Sequence, residues 1–154
     1  MGAALMAVAK DVTGRQFAVA LAGLVLAALT GCGDSNRPYP VNGQLVYEDG
    51  QPVTELTGFT VTFTSEKLGK SAVGQIQEDG TFRLTTTRQD DGAFPGDYLV
   101  IVSQPHPNPE RREFRKPAVD LAYEDLGRTD LKATVEPKGN EFTFRLRRLK
   151  PPPK

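Results

Sequence analysis

Cysteine and histidine occur once each in the 154 residues, as Cys32 and His106, and tryptophan is absent. A single thiol excludes an internal disulfide and any cysteine-rich zinc site. With one imidazole, a histidine metal centre or a Ser–His–Asp relay would rest on His106 alone. Charge of one sign is not in excess either, with 19 Lys and Arg against 19 Asp and Glu. Such a chain has no surplus cation to neutralise a phosphate backbone, so nucleic-acid binding is not expected. No catalytic motif, metal site or cofactor signature stands out, and the reading is of a protein that is not an enzyme.

Long apolar runs are also scarce. The longest is Phe17–Leu29, thirteen uncharged residues. That is short for a bilayer-spanning helix, which needs roughly 20, and suits the apolar region of an export signal. Lys10 and Arg15 supply the positive segment before it, with Asp11 as a blemish. Met1 and Met6 are both available as starts. The run closes on Leu29-Thr30-Gly31-Cys32, which resembles the bacterial lipobox. There, small residues let the backbone enter the signal-peptidase groove and the cysteine thiol accepts a diacylglyceryl group. Two or more acyl chains, palmitate among them, give stable membrane anchoring where one is marginal. The expectation is therefore a helical signal peptide over 1–31, lipidation of Cys32 and a polar tether over 32–40. The exported protein would sit in the cell envelope, in a membrane the sequence does not specify.

Cleavage before Cys32 leaves 123 of the 154 residues, with 17 basic and 18 acidic side chains. That suffices for one domain with a modest core. From Val41 onward the apolar period is two. Strands are expected at 41–47, 59–64, 71–77 (around Val73 and Ile76), 81–85, 98–102, 131–136 and 142–147. Hairpin turns are expected at Glu48-Asp49-Gly50, Glu78-Asp79-Gly80 and Pro137-Lys138-Gly139-Asn140. Tyr98–Val102 is apolar on both faces, as for a central strand covered on two sides. Residues 105–129 read as a long loop with one helical turn near Val119–Leu126; loops of this length are often functional. The Pro-rich tail 150–154 cannot join a sheet. Seven short strands with turns between them indicate an all-β sandwich over 41–149.

Several spaced motifs carry a family resemblance. Gly43-x-Leu45-x-Tyr47-x-x-Gly50-x-Pro52-Val53 resembles the opening of a transthyretin-like, or carboxypeptidase-regulatory-like, domain. Asp79-Gly80-x-Phe82-x-Leu84 and Gly92-Ala93-x-Pro95-Gly96-x-Tyr98-x-Val100-x-Val102 continue it. The ending Leu131-x-Ala133-x-Val135-x-Pro137-x-x-Asn140-x-Phe142-x-Phe144-x-Leu146 is similar to that of small lipoproteins from planctomycete-type bacteria. The resemblance implies a seven-stranded Greek-key sandwich of prealbumin type, and little about activity. One branch of that fold hydrolyses 5-hydroxyisourate with several histidines and a Tyr-Arg-Gly-Ser ending; here there is one histidine, and the chain ends Pro-Pro-Pro-Lys.

Other candidates compete with plainer readings. Asp90, Asp91 and Asp97 offer oxygens to calcium, yet Asp and Gly are also what a turn requires. Arg145, Arg147, Arg148 and Lys150 form a basic strip that would touch anionic lipid or polymer, or simply line the solvent face of the last strand. Tyr39, Tyr47, Tyr98 and Tyr123 serve either to stack on sugars or to fill the core. In the long loop, His106, Arg111 and Arg112 are the candidate interaction residues. The function expected is a membrane-anchored, non-enzymatic envelope module for protein interaction or scaffolding. The alternative is a carbohydrate- or cell-wall-binding sandwich, and the remote one a carboxylate-based hydrolase.

Overall fold

The computed structural model describes residues 36–107, 110 and 116–149. The leader 1–31, Cys32 with its lipobox, Arg111, Arg112 and the tail 150–154 lie outside the described residues.

The seven expected strands form: β1 Val41–Tyr47, β2 Thr60–Ser65, β3 Lys70–Gln75, β4 Thr81–Arg83, β5 Gly96–Val102, β6 Lys132–Val135 and β7 Asn140–Leu146. They make two sheets, one ordered β4-β1-β7 and the other β3-β2-β5-β6. All pairings are antiparallel except β1 with β7, which run parallel in register from Val41 opposite Asn140 to Tyr47 opposite Leu146. Alternation does what a half-buried strand demands. In β2, Val61 and Phe63 point inward between threonines; in β5, Tyr98, Val100 and Val102 do so.

The two inner faces meet on aromatic rings. Phe63 of β2 is fully buried, with its centroid 6.2 Å from Phe82, 5.8 Å from Phe142 and 5.9 Å from Phe144, all three on the opposite sheet. Tyr98, beside it in its own sheet, lies at 6.0 Å. Tilted and edge contacts at these separations add to area burial.

Two expected hairpins are corrected. The turns at 77–80 and 136–139 form, but each joins strands of different sheets, β3 to β4 and β6 to β7. The reason is burial: each sheet has one apolar face, and crossing to the facing layer lets the next strand cover it. At the second corner the buried Asn140 acts as a plug. Its amide nitrogen donates to the Glu136 and Lys138 carbonyls at 3.0 and 2.6 Å, and its oxygen accepts from Glu136 N at 2.9 Å. Val73 is corrected as well. It faces outward at 42% exposure, while Ala72, Gly74 and Ile76 face the core. On β5, Leu99 and Ile101 are half-buried rather than covered by a further layer.

The edge between β3 and β4 is drawn shut. Val73 and Thr85 exchange two backbone hydrogen bonds of 2.9 Å. A Cβ on Gly74 would sit 2.6 Å from the Arg83 carbonyl oxygen, so only glycine admits this approach. At the start of the domain Tyr39 is buried and pairs with Ala93 in both directions, at 2.8 and 3.0 Å. Gly92 next to it has φ +89, and a side chain there would collide with the Tyr39 carbonyl.

Strand directions sort the loops into two poles. Residues 39–40 and the loops 66–69, 84–95 and 136–139 cluster where β1 begins. Residues 48–59, 76–80, 147–149 and the two described ends of the 103–131 connection cluster where β1 ends.

Phe63→Ala removes the ring that touches both layers. Its expected cost is about 3–5 kcal/mol of unfolding free energy, measured by denaturant titration followed by circular dichroism.

Candidate functional site

The connection 103–131 is held at its base by one buried amide. The Gln104 side chain is 4% exposed; its nitrogen donates to the Val119 carbonyl at 3.1 Å, and its oxygen accepts from Ala118 N and Val119 N at 3.0 and 3.1 Å. Thr129 closes the far end, donating to the Val100 carbonyl at 2.8 Å. Between them runs a short 3-10 turn, Leu121–Glu124, within the span expected to hold a helical turn. Asp120 caps it by accepting from Ala122 N at 3.0 Å. That bond, helped by Arg147, holds its carboxyl below the usual aspartate range.

This turn brings His106 a partner that no motif announces. Its Nε2 lies 2.8 and 3.0 Å from the two carboxylate oxygens of Glu124, eighteen residues on. The imidazole remains 56% exposed. The pair bridges the two limbs of the loop. Among the described residues neither ring nitrogen of His106 meets a hydroxyl. Arg111 and Arg112, grouped with His106 in sequence, lie outside the described residues.

Two members of the basic strip, Arg147 and Arg148, are paired with carboxylates, and Lys150 lies outside the described residues. Arg147 donates to Asp130 at 2.7 Å and to Asp120 at 3.3 Å, with its guanidinium carbon 5.0 Å from the Tyr123 ring centre. Asp130 foremost pushes the Arg147 pKa up further. Arg148 sits 3.4 Å over the Tyr47 ring and reaches Asp49 at 3.5 Å and Glu55 at 3.9 Å. Burial, with the Glu55 carboxylate next in weight, pushes the Tyr47 phenol up to about 12. These arginines are cross-braces between the last strand and the loops of one pole, stacked on aromatic faces.

All four tyrosines are buried, and among the described residues no aromatic ring is exposed. Tyr98 donates to the Phe94 carbonyl at 2.8 Å, and Tyr123 accepts from Arg147 N at 3.1 Å. A flat aromatic platform for sugars is therefore missing from this part of the surface.

Asp91, one of the calcium candidates, is already occupied. Its oxygens accept from Thr86 N at 2.7 Å, Arg88 N at 2.8 Å and Thr87 N at 3.1 Å. Asp97 instead accepts from the Thr134 hydroxyl at 2.7 Å. Among the described residues no three His, Cys, Asp or Glu gather to hold an ion.

Two grooves remain. One, of about 400 Å³, lies on the outer face of the four-stranded sheet, where half-buried Leu99 and exposed Leu126 sit beside Lys67 and Lys132. The other, of about 510 Å³, follows the seam between β3 and β4 and is polar.

No family model matches this chain, and no curated protein does. Among solved structures it is similar to a DUF3823 family protein from Parabacteroides merdae, at 13% identity and a TM-score of 0.42. The likeness covers 73% of this chain and 46% of that one, so the chain spans under half the length of that relative.

Gln104→Ala strands two buried backbone groups of Val119 and the half-buried N–H of Ala118. It is expected to cost about 2 kcal/mol and to raise amide hydrogen exchange across 116–123 selectively. For Asp91, burial disfavours the charge, but the three backbone donors outweigh it and depress the pKa. A depressed carboxylate stabilises the fold above its unfolded pKa of about 3.9 and loses that contribution as pH falls through the folded value. Asp91→Asn is thus expected to cost about 1–2 kcal/mol near neutrality, and the gap to wild type should close below about pH 4. A pH-independent gap in denaturant midpoints would show that the charge contributes nothing.

Proposed function

We propose that this chain is an exported lipoprotein of the bacterial cell envelope, anchored through Cys32 and without catalysis of its own, which presents its 103–131 loop to a protein partner. The anchor reading is supported by the h-region of export-signal length and by the lone cysteine of the chain directly after Leu29-Thr30-Gly31. The presenting role is supported by one observation above all. The chain enters the domain at Tyr39, at the pole opposite the 103–131 loop. A tether fastened there would leave that loop, which carries His106 and its partner Glu124, facing away from the membrane.

The finer fold assignment belongs to the same proposal. The sheet orders β4-β1-β7 and β3-β2-β5-β6, with first and last strands parallel, suit a Greek-key sandwich of transthyretin type. The spaced motifs from Gly43 to Val102 that resemble a transthyretin-like domain, and the ending Leu131–Leu146 that resembles small planctomycete-type lipoproteins, support the same reading. Fold of this kind does not specify activity.

The test is metabolic labelling with a palmitate analogue in a bacterial host, followed by membrane fractionation. Wild type should carry the label and sediment with membranes. Cys32→Ala should lose the label and either keep its leader or appear soluble. Label retained by Cys32→Ala would overturn the anchor. In-cell crosslinking then tests presentation: a captured protein should be lost when residues 105–115 are replaced by a Gly/Ser linker, and capture that survives the replacement would place the contact elsewhere.

A further inference from the structure

The seam groove between β3 and β4 has a chemistry that the fold does not require. Its useful lining is Gln75, Gln77, Gln89, Thr81, Arg83 and Asp90. These offer three amides, one cation and one carboxylate, with a hydroxyl on Thr81 whose proton is donated to Asp79 at 2.6 Å and which can only accept. The Gln77 amide donates to the Gln75 carbonyl at 3.1 Å, which holds it along the strand end. The side chains of Gln75, Gln89, Arg83 and Asp90 make no hydrogen bond, ion pair or ring contact with any described residue. Arg83 differs in this from Arg147 and Arg148, each of which is held by two carboxylates and a ring.

Asp90 adds a second peculiarity. Among the described residues it alone, other than glycines, has a left-handed backbone, with φ 57. Its amide donates to the Thr85 hydroxyl at 3.0 Å, and its neighbour Asp91 does the structural bonding of the loop. A non-glycine in this region is uncommon and marks a place to look for function. Here it sets a carboxylate with no structural partner on the rim of a groove that holds a guanidinium with none.

We infer that this groove binds an uncharged glycan. One cation offset by one anion gives no field for a phosphate or sulfate. The polar lining offers no seat for an apolar ligand. A sugar hydroxyl both donates and accepts, and so does an amide; a guanidinium fork and a carboxylate each engage two neighbouring hydroxyls at once. With no exposed phenyl or phenol ring among the described residues to stack on, single-site binding is weak, with a dissociation constant on the order of 1 mM. Many copies on one surface compensate through avidity on a polymer. The site depends neither on the lipid anchor nor on the 103–131 loop.

The test uses the full chain in detergent. Saturation-transfer NMR titrations are run with four neutral hexaoses (cellohexaose, maltohexaose, mannohexaose and chitohexaose) and with polygalacturonate as the anionic comparison. At least one neutral hexaose should bind, and Arg83→Ala and Asp90→Gly should each weaken it tenfold or more. Asp90→Gly relieves the left-handed backbone, so it should unfold no more easily than wild type; thermal unfolding checks this. His106→Ala should bind as wild type. The inference fails if no neutral hexaose binds at 10-fold the expected dissociation constant, if polygalacturonate binds better than all four, or if both groove variants bind undiminished.

Discussion

The parallel pairing of β1 with β7 is the constraint on which the rest of the structure depends. Seven residues at one end of the domain lie in register with seven at the other, Val41 against Asn140 through Tyr47 against Leu146. A parallel pair cannot be closed by a tight turn. Everything from Glu48 to Gly139 is the crossover connection, and the whole four-stranded sheet is laid down within it. That sheet covers the apolar side of the β4-β1-β7 layer, which otherwise would face water. Phe142 and Phe144 of β7 take part in the core only because β1 holds β7 there, and Phe63 from the other layer packs against both. Closure between such distant segments makes folding slow compared with local topologies. The same parallel direction puts the chain's entry into the domain and its exit from it at opposite poles.

With no disulfide, the loops are fastened by side chains that replace missing backbone partners. Gln104 saves three groups of the 118–119 segment, Asp91 three amides of the 86–88 segment, and Asn140 three groups of the 136–138 corner. Each is one residue whose removal orphans several backbone atoms at once, and orphaning costs more than a bond contributes on average. Arg147 and Arg148 add a second layer of bracing between the end of β7 and its neighbouring loops. Their exposed ion pairs are individually weak; stacking on Tyr123 and Tyr47 gives them a fixed place.

The strands were legible because apolar alternation over five to seven residues suits a half-buried strand and leaves a helix no continuous apolar face. Phe59–Phe63 and Phe142–Leu146 show it plainly. The sheet to which each strand belongs was not legible. Asp79-Gly80 and Lys138-Gly139 state that the chain reverses; they do not state whether the next strand returns beside the last or crosses to the facing layer. Val73 misled because β3 holds its inward positions with Ala72 and Gly74, small residues that suit the close approach of Arg83 rather than supplying apolar bulk. Glu124 as the partner of His106, and the carboxylates around Arg147, are set by the return path of a long loop, which leaves no periodic trace. The arginines of the last strand read as a basic strip because linear sequence does not show that Asp49, Glu55, Asp120 and Asp130 converge on them.

Geometry also bounds what the proposed anchor permits. From Cys32 to the first paired residue, Tyr39, seven residues extend at most roughly 25 Å. The strands of β1 length add about 23 Å of rigid height. If Cys32 is anchored as proposed, chain length alone would allow the far pole up to roughly 50 Å from it. The Tyr39–Ala93 pairing and the fit of Gly92 against Tyr39 remove slack at the point of attachment, so tether length rather than domain flexing sets the range. Under that proposal, a partner for the 103–131 loop would have to reach within that distance of the membrane. The seam groove runs along the side of the sandwich from Gln77 at one pole to Gln89 and Asp90 at the other. The proposed loop contact and the proposed groove thus use different segments of the domain, a separation that follows from the strand directions set by β7 beside β1.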